Sequence, residues 1–268
     1  MKRTWQLGNV LALVFALVAN FLTGAQILDL PPIGEISDKY ATYLTPAGYA
    51  FSIWTLIYLL LIVFAVYQAR DLRDPRDDNQ IPQLLGPLFI VASICNGLWT
   101  YVFVKEWVGL SVVVLLALTA SLYAALWRLG VGTTRPSTKD FLMVWLPLML
   151  YTGWVTAASI VNVATYLDSL DVTISPLASI VVIAVLTVAL LALLLKRNLR
   201  ELLIPCAWAL VAIGVRQIEL SQSTSVAIVA LVCAGILIVA MLVHALARGL
   251  SYELPHRKRS DLTVGTPG

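Results

Sequence analysis

The side chains that could do chemistry inside this 268-residue chain are aromatic rings and neutral amides. Trp54, Trp99 and Trp154 each lie well inside an apolar stretch, and Asn20, Asn96 and Asn162 lie in stretches of the same kind. An amide in hydrocarbon needs a hydrogen-bond partner, so all three asparagines are expected to face a bundle interior. Two roles fit that placement. The amides can pin helices together, or they can anchor a ligand within a cavity whose walls are flat aromatic rings. Seven of the eight tryptophans precede residue 155, and only Trp208 follows it, so the two parts of the chain differ in chemistry.

Ionisable groups are nearly absent from the apolar stretches. Arg216 and Glu219 stand three residues apart at the end of one, which reads as a local ion pair. His244, a turn before Arg248, reads as an interfacial residue. No Ser/His/Asp set, nucleotide-binding loop or zinc motif is present, so ATP hydrolysis, proton relay and metal catalysis lack their residues. We expect no catalytic residue, no metal ligand and no enzyme activity. Cys95, Cys206 and Cys233 lie in apolar runs without paired spacing and read as small hydrophobes.

The elements that must position these groups follow from composition. Apolar residues make up 60% of the chain, charged residues 12%, and mean hydropathy is +0.88, far from the balance of a soluble domain. The expected class is an all-α integral membrane protein. At about 20 residues per crossing, eight transmembrane helices are predicted, over 7–28, 47–68, 84–104, 107–127, 141–167, 177–195, 202–219 and 224–247. Fifteen of the eighteen Lys and Arg then fall on one side, and Lys39, Lys105 and Arg216 on the other. The positive-inside rule makes the richer side, with both termini, cytoplasmic. The first stretch also has the marks of a secretory signal, with Lys2 and Arg3 before an apolar run ending in Thr23-Gly24-Ala25, but a retained helix is the reading adopted. A net charge of +3, scattered in short clusters, offers no nucleic-acid surface. The outer loop 29–45, stiffened by Pro31 and Pro32, is suited to lie over the outer mouth of the bundle. The basic tail 251–268 reads as disordered and drawn to anionic lipid.

Three strings carry a family resemblance: TPAGYAFSIWTLIY in the second span, NGLWTYVF (Asn96 to Phe103) in the third, and WVTAASIVN (Trp154 to Asn162) in the fifth. Together they resemble the TspO/MBR family of tryptophan-rich sensory or translocator proteins. The resemblance covers roughly residues 5–167. Tyr49 stands where that family commonly has Trp, the spacing from Phe51 to Trp54 is one residue shorter, and the proline of helix five lies earlier, at Pro147. The family's cholesterol-recognition pattern at the end of helix five is absent, and the match at Val63, Tyr67 and Arg70 is a chance one.

The resemblance implies a five-helix core over 1–167, followed here by a three-helix extension over 168–250 and the cytoplasmic tail 251–268. It implies a pocket beneath the loop joining the first two helices, lined by Trp54, Tyr58, Asn96, Trp99, Trp154 and Ala158, with Tyr43, Tyr49, Phe51 and Asn162 as lid or rim. The implied ligand is a porphyrin or haem-like tetrapyrrole, or another flat hydrophobic molecule, with no required cofactor. A permease for a small hydrophobic solute is the alternative. The last three helices, poor in aromatic residues, are expected to face lipid. The expected partners are the bilayer and the hydrophobic ligand, with a homodimer open, and the expected location is a bacterial cytoplasmic membrane, as a multi-pass protein.

Overall fold

Pro32 opens the one short helix that will matter most to the site, and proline, serine and glycine punctuate the longer ones. The computed structural model describes residues 2–25, 30–72 and 79–248, and every regular element among them is helical. The basic tail 251–268 and the loop residues 26–29 and 73–78 lie outside the described residues. Helix α1 (Lys2–Gly24) is followed by α2 (Ile33–Lys39), and a 3-10 stretch (Gly48–Ser52) runs straight into α3 (Ile53–Gln68). Helices α4 (Ile81–Leu85) and α5 (Leu88–Val104) are one apolar stretch broken at Gly86, which has φ +53°, and at Pro87. Helix α6 (Val108–Arg128) precedes the single turn α7 (Thr138–Asp140), where the Ser137 hydroxyl accepts the Asp140 N–H at 3.0 Å. A π turn (Phe141–Trp145) then leads into α8 (Leu146–Asp168). The wide turn accommodates Pro147, which has no N–H to give and whose ring would collide with the carbonyl one turn back.

The C-terminal part holds α9 (Pro176–Arg197), α10 (Leu203–Glu219) and α11 (Thr224–Arg248). Helix α9 starts on a Ser175 cap with proline at its first position and stops at Asn198, which adopts the left-handed conformation.

Among the described residues, each of the eight stretches predicted from the sequence holds a helix, and six helices are long and apolar enough to cross a membrane. Helices α5 and α10 have 17 residues each, about 25 Å at 1.5 Å per residue against roughly 30 Å of hydrocarbon. The break at Gly86–Pro87 shortens the third predicted span. The polar end from Arg216 to Glu219 closes the seventh.

The helices form one connected bundle. Helix α1 packs on α5 and α3, α5 on α6, α6 and α3 on α8, and α10 joins α8 to α11, which in turn packs on α9. A single apolar core runs from Leu13 to Leu237. The outer faces of α9 and α11 expose Val185, Val188, Val232, Val239 and Leu246, as expected where the solvent is lipid. Helix α10 departs from the lipid-facing expectation, because ten of its seventeen residues are buried. Its run of Pro205, Cys206, Ala207, Ala209, Ala212 and Gly214 has the small side chains that let helix backbones approach.

The approach is closest at two glycines. A Cβ on Gly153 in α8 would stand 2.2 Å from the Leu202 carbonyl oxygen, and one on Gly132 would stand 1.8 Å from that of Arg197. The turn from Asn198 to Leu202 thus plugs into the first five long helices, with Arg200 donating through Nε and Nη2 to Glu201 Oε1 at 2.9 Å. Both side chains are buried, so each charge needs the other. The Cys206 thiol donates to the Gly153 carbonyl at 3.1 Å, a second tie across the same seam.

Gly153→Ala is therefore expected to destabilise the protein by about 1–3 kcal/mol or more through overpacking against a carbonyl that cannot move. Gly235→Ala, whose Cβ would meet nothing within 4 Å, is expected to be neutral or slightly stabilising. Thermal unfolding of the two variants in detergent checks this, and equal midpoints would contradict the seam.

Candidate functional site

The Phe51-Ser52-Ile53-Trp54 turn is where the 3-10 stretch becomes α3, so Phe51 and Trp54 come off successive turns of tight backbone and point into the same space. Opposite them α8 presents Trp154, Ala157, Ala158, Val161, Asn162 and Thr165, spaced at helical intervals along one face. Helix α5 adds Trp99 and Phe103, and α10 adds Ala209. Together these side chains enclose a cavity of about 30 Å³, room for one or two waters. Trp54, Trp99 and Trp154 are all under 9% exposed.

The rings fill their own cage. Trp54 meets Trp154 and Tyr151 edge to face at 6.2 and 6.0 Å between centroids, lies tilted against Trp99 at 6.5 Å, and stacks on Tyr58 at 5.1 Å. Phe51 closes on Trp154 at 6.3 Å, and Trp99 stacks on Phe103 at 5.3 Å. Each such pair contributes roughly 0.5–1.5 kcal/mol beyond area burial, so the closed cage is a stable packing arrangement. A flat ligand cannot stand between Trp54 and Trp154 while they touch. Ligand sites of drug size need about 300–1,000 Å³, so the cage must open to admit one.

Behind the rings lie two amide nodes. Asn96 Oδ1 accepts from Asn20 Nδ2 of α1 at 2.9 Å and from the Tyr58 hydroxyl of α3 at 3.1 Å, and the Thr100 hydroxyl donates to Asn20 Oδ1 at 2.7 Å. Asn162 Oδ1 accepts from Trp99 Nε1 at 3.1 Å, while its Nδ2 donates to the Ser111 hydroxyl at 2.9 Å. The first node fastens α1, α3 and α5; the second fastens α5, α6 and α8. Two donors are left over. Asn96 Nδ2, behind the rings, and Trp154 Nε1, in the cage wall, are buried without a hydrogen-bond partner among the described residues, an arrangement that costs about 1–3 kcal/mol for each.

Helix α2 lies over one end of the cavity, contributing Ile33 and Ser37, with Pro46 beside them. It is tied down on both sides. Lys39 and the Tyr40 hydroxyl both bond Glu106, in the tight α5–α6 turn, the latter at 2.6 Å. Arg216 of α10 donates to Asp38 at 2.6 Å. Arg216 thus reaches across to another element and does not pair locally with Glu219, because the guanidinium side chain is largely buried under α2 and Asp38 is the carboxylate that meets it. The segment after α2 is held as well: Ala47 N–H donates to the Ala212 carbonyl at 3.0 Å, Trp208 Nε1 donates to the Ala50 carbonyl at 3.1 Å, and Trp208 meets Tyr49 edge to face.

Of the residues singled out in the sequence, Trp54, Trp99, Trp154, Ala158, Phe51 and Asn162 line the cavity. Tyr58 and Asn96 stand behind it in the polar node. Tyr43 and Tyr49 lie apart from it, Tyr43 in a surface cleft with Asp168 and Gln222, and Tyr49 against Trp208. His244 is buried among the helices. Sequence reasoning missed Tyr151, Ser37 and the contribution of α10. The small-residue run around Ala209 is the signal that marks α10 as an inner helix.

The latch on α2 has a pH signature. Hydrogen bonds from Lys39 and then Tyr40 hold the Glu106 carboxyl below the usual carboxylate range, and the bond to Glu106 raises Lys39 above its ordinary value. A depressed carboxylate contributes above its ordinary value and ceases to as pH falls through the lowered one; a raised lysine contributes until pH climbs through its raised value. Amide exchange in α2, corrected for intrinsic rate, is expected to be flat from about pH 5 to 9 and faster below about pH 4. Glu106→Gln should speed exchange throughout and remove its share of the acid transition. An unchanged acid transition in that variant would put the latch elsewhere.

A family model described as TSPO-like protein matches residues 6–243, a stretch that includes α9, α10 and most of α11. Neither the curated proteins nor the solved structures give a match.

Proposed function

Since the chain belongs to the TSPO-like protein family, we propose that it binds tetrapyrrole-like or other flat, largely apolar molecules in the Trp54–Trp99–Trp154 cage, as a membrane receptor or carrier and not as an enzyme. The observation that carries this reading is the unpartnered indole N–H of Trp154 in an otherwise aromatic and aliphatic enclosure. Such a group is costly empty and favourable when an acceptor oxygen or ring nitrogen arrives. The ligand class follows: broad π faces to replace the ring-to-ring contacts of the cage, and one acceptor to meet Trp154. No residue lining the cavity titrates as a general acid or base, which supports binding over catalysis.

The closed cage requires a gate, and α2 with its ties to Glu106 and Arg216 is the element placed to serve as one. Under this reading the C-terminal helices belong to the site, since Arg216, Ala212 and Trp208 hold the segment that covers it. We further propose that all eight long helices traverse the bilayer, with α5 and α10 crossing as shorter, tilted or locally thinned spans, and that both termini are cytoplasmic, from the fifteen-to-three division of Lys and Arg. Membrane-impermeant maleimide on Glu35→Cys and Lys139→Cys variants checks the orientation. The two positions should label from opposite faces, and labelling of both from one side would reject it.

Binding is checked by titrating the purified protein with protoporphyrin IX and following tryptophan quenching. Trp54→Ala and Trp154→Ala are each expected to weaken affinity about tenfold or more, equivalent to roughly 1.4 kcal/mol, while Trp107→Ala, half-exposed at the outer turn, changes little. Trp154→Phe should keep most of the affinity for ligands without an acceptor and lose it for those with one. Equal affinities in wild type, Trp54→Ala and Trp154→Ala would return these rings to a packing role. Saturable solute flux in liposomes without porphyrin binding would favour a permease.

A further inference from the structure

A polar cleft of about 280 Å³ opens at the end of the bundle where α8 and α10 stop. Four separate segments wall it: Thr42 and Tyr43 after α2, Asp168 at the end of α8, Thr173 and Ile174 ahead of α9, and Gln222 between α10 and α11. It shares no lining residue with the aromatic cavity. Hydroxyls, an amide, one phenol ring and one carboxylate make up its polar lining. No lysine, arginine or histidine is among the described residues that line it.

Asp168 gives the cleft its chemistry. Its carboxylate makes no hydrogen bond or ion pair with another described residue. Lys39 is held on Glu106 and Arg216 on Asp38, so neither neutralises it. Asp168 is also the last residue of α8, so its charge adds to the partial negative charge of that helix end instead of opposing it. The start of α9 beside the cleft is already closed, by Pro176, which has no N–H, and by the Ser175 hydroxyl, which accepts the Ala178 N–H at 3.2 Å. Acceptors continue along the wall. Gln222 Oε1 accepts from Gln217 Nε2 at 3.4 Å, and Gln217 Oε1 is buried with no partner among the described residues. Tyr43 adds a half-buried aromatic ring.

We propose that this cleft binds a small soluble organic cation, an alkylammonium, with its charge at Asp168 and its alkyl groups against Tyr43 and Ile174. A carboxylate and an aromatic ring lining one space favour such a ligand twice, by direct attraction and by the cation's interaction with the ring. An anion is repelled, and a neutral molecule leaves Asp168 unmatched. A divalent metal ion asks for several oxygen ligands, and no group of three His, Cys, Asp or Glu able to hold one occurs among the described residues. A phospholipid headgroup brings its phosphate along with its ammonium, toward Asp168, so the soluble cation is the occupant. Thr42 and Tyr43 follow closely on Tyr40, whose hydroxyl is bonded to Glu106. The cleft therefore lies at the foot of the segment that covers the aromatic cage, yet its occupancy does not depend on what the cage binds.

Saturation-transfer NMR of the full chain in dodecyl maltoside, with choline as the probe, tests the site. Choline is expected to bind saturably and about tenfold more tightly than its neutral isostere, in which a tert-butyl group replaces the trimethylammonium. Asp168→Asn should cut choline affinity about tenfold and bring the two probes level. Tyr43→Leu should weaken choline about threefold or more. Thr173→Lys, at an exposed position, supplies an ammonium within the cleft and should abolish choline binding; it carries the test if Asp168→Asn lowers the thermal midpoint. Absence of saturable choline binding, equal affinity for the two probes in wild type, or unchanged affinity in Asp168→Asn or Thr173→Lys would each overturn the site. Phosphocholine is expected to bind more weakly than choline, and equal or tighter binding would overturn the soluble-cation assignment in favour of a headgroup. Displacement of choline by equimolar calcium would overturn the organic one.

Discussion

Asn96 accepts from α1 and α3 at once, and much of the bundle depends on that single carbonyl. In water such an amide would cost nothing to leave alone. In hydrocarbon each unmet donor or acceptor is expensive, so the sequence can place an amide in a helix only if the fold brings partners to it. Asn20 and Tyr58 are those partners, and Asn162 with Trp99 and Ser111 repeats the device between α5, α6 and α8. The two nodes fix how the helices carrying Trp54, Trp99 and Trp154 are rotated, and so fix where the rings meet. The aromatic cage is a consequence of the amide network behind it.

The same constraint explains why an unmet donor in the wall of the cage is informative. Several hydroxyls in the spans are satisfied within a turn, as those of Thr119, Thr152 and Ser159 donate to carbonyls four residues back. Trp154 Nε1 could have been given such a partner and was not. The rings around it meet at 6.0–6.5 Å, close enough to exclude a ligand and weak enough, pair by pair, to be exchanged for one. Closed packing and an unmet donor are the features that support reading the cage as a binding site.

The last three helices change meaning once they are seen in place. Their aliphatic composition fits lipid-facing packing, and α9 and α11 behave that way. Helix α10 does not, because Gly153 and Gly132 let the turn before it enter the seam between α6 and α8. From there Trp208, Ala212 and Arg216 reach the segment that covers the cavity. The family match running to residue 243 fits an arrangement in which these helices are integral to the whole.

Composition and period determined the class of this protein: long apolar runs, Pro and Ser at their starts and basic residues on one side can only be read as membrane helices, and each of the eight stretches holds a helix. The order of Trp54, Asn96, Trp99, Trp154 and Asn162 determined the family and the three tryptophans and one amide of the cavity lining, since these residues sit on helices whose facing is set by buried amides. Tertiary structure alone decided the rest. Tyr43 and Tyr49 are rim residues by position in the chain, yet the path of the loop puts one in a surface cleft and the other against Trp208. Arg216 reads as the neighbour of Glu219, yet it meets Asp38, because an ion pair forms where burial brings two charges together and not where the chain lists them. The cleft around Asp168 is invisible in sequence for the same reason: it is made where segments far apart in the chain end at one level, and empty space has no residue of its own.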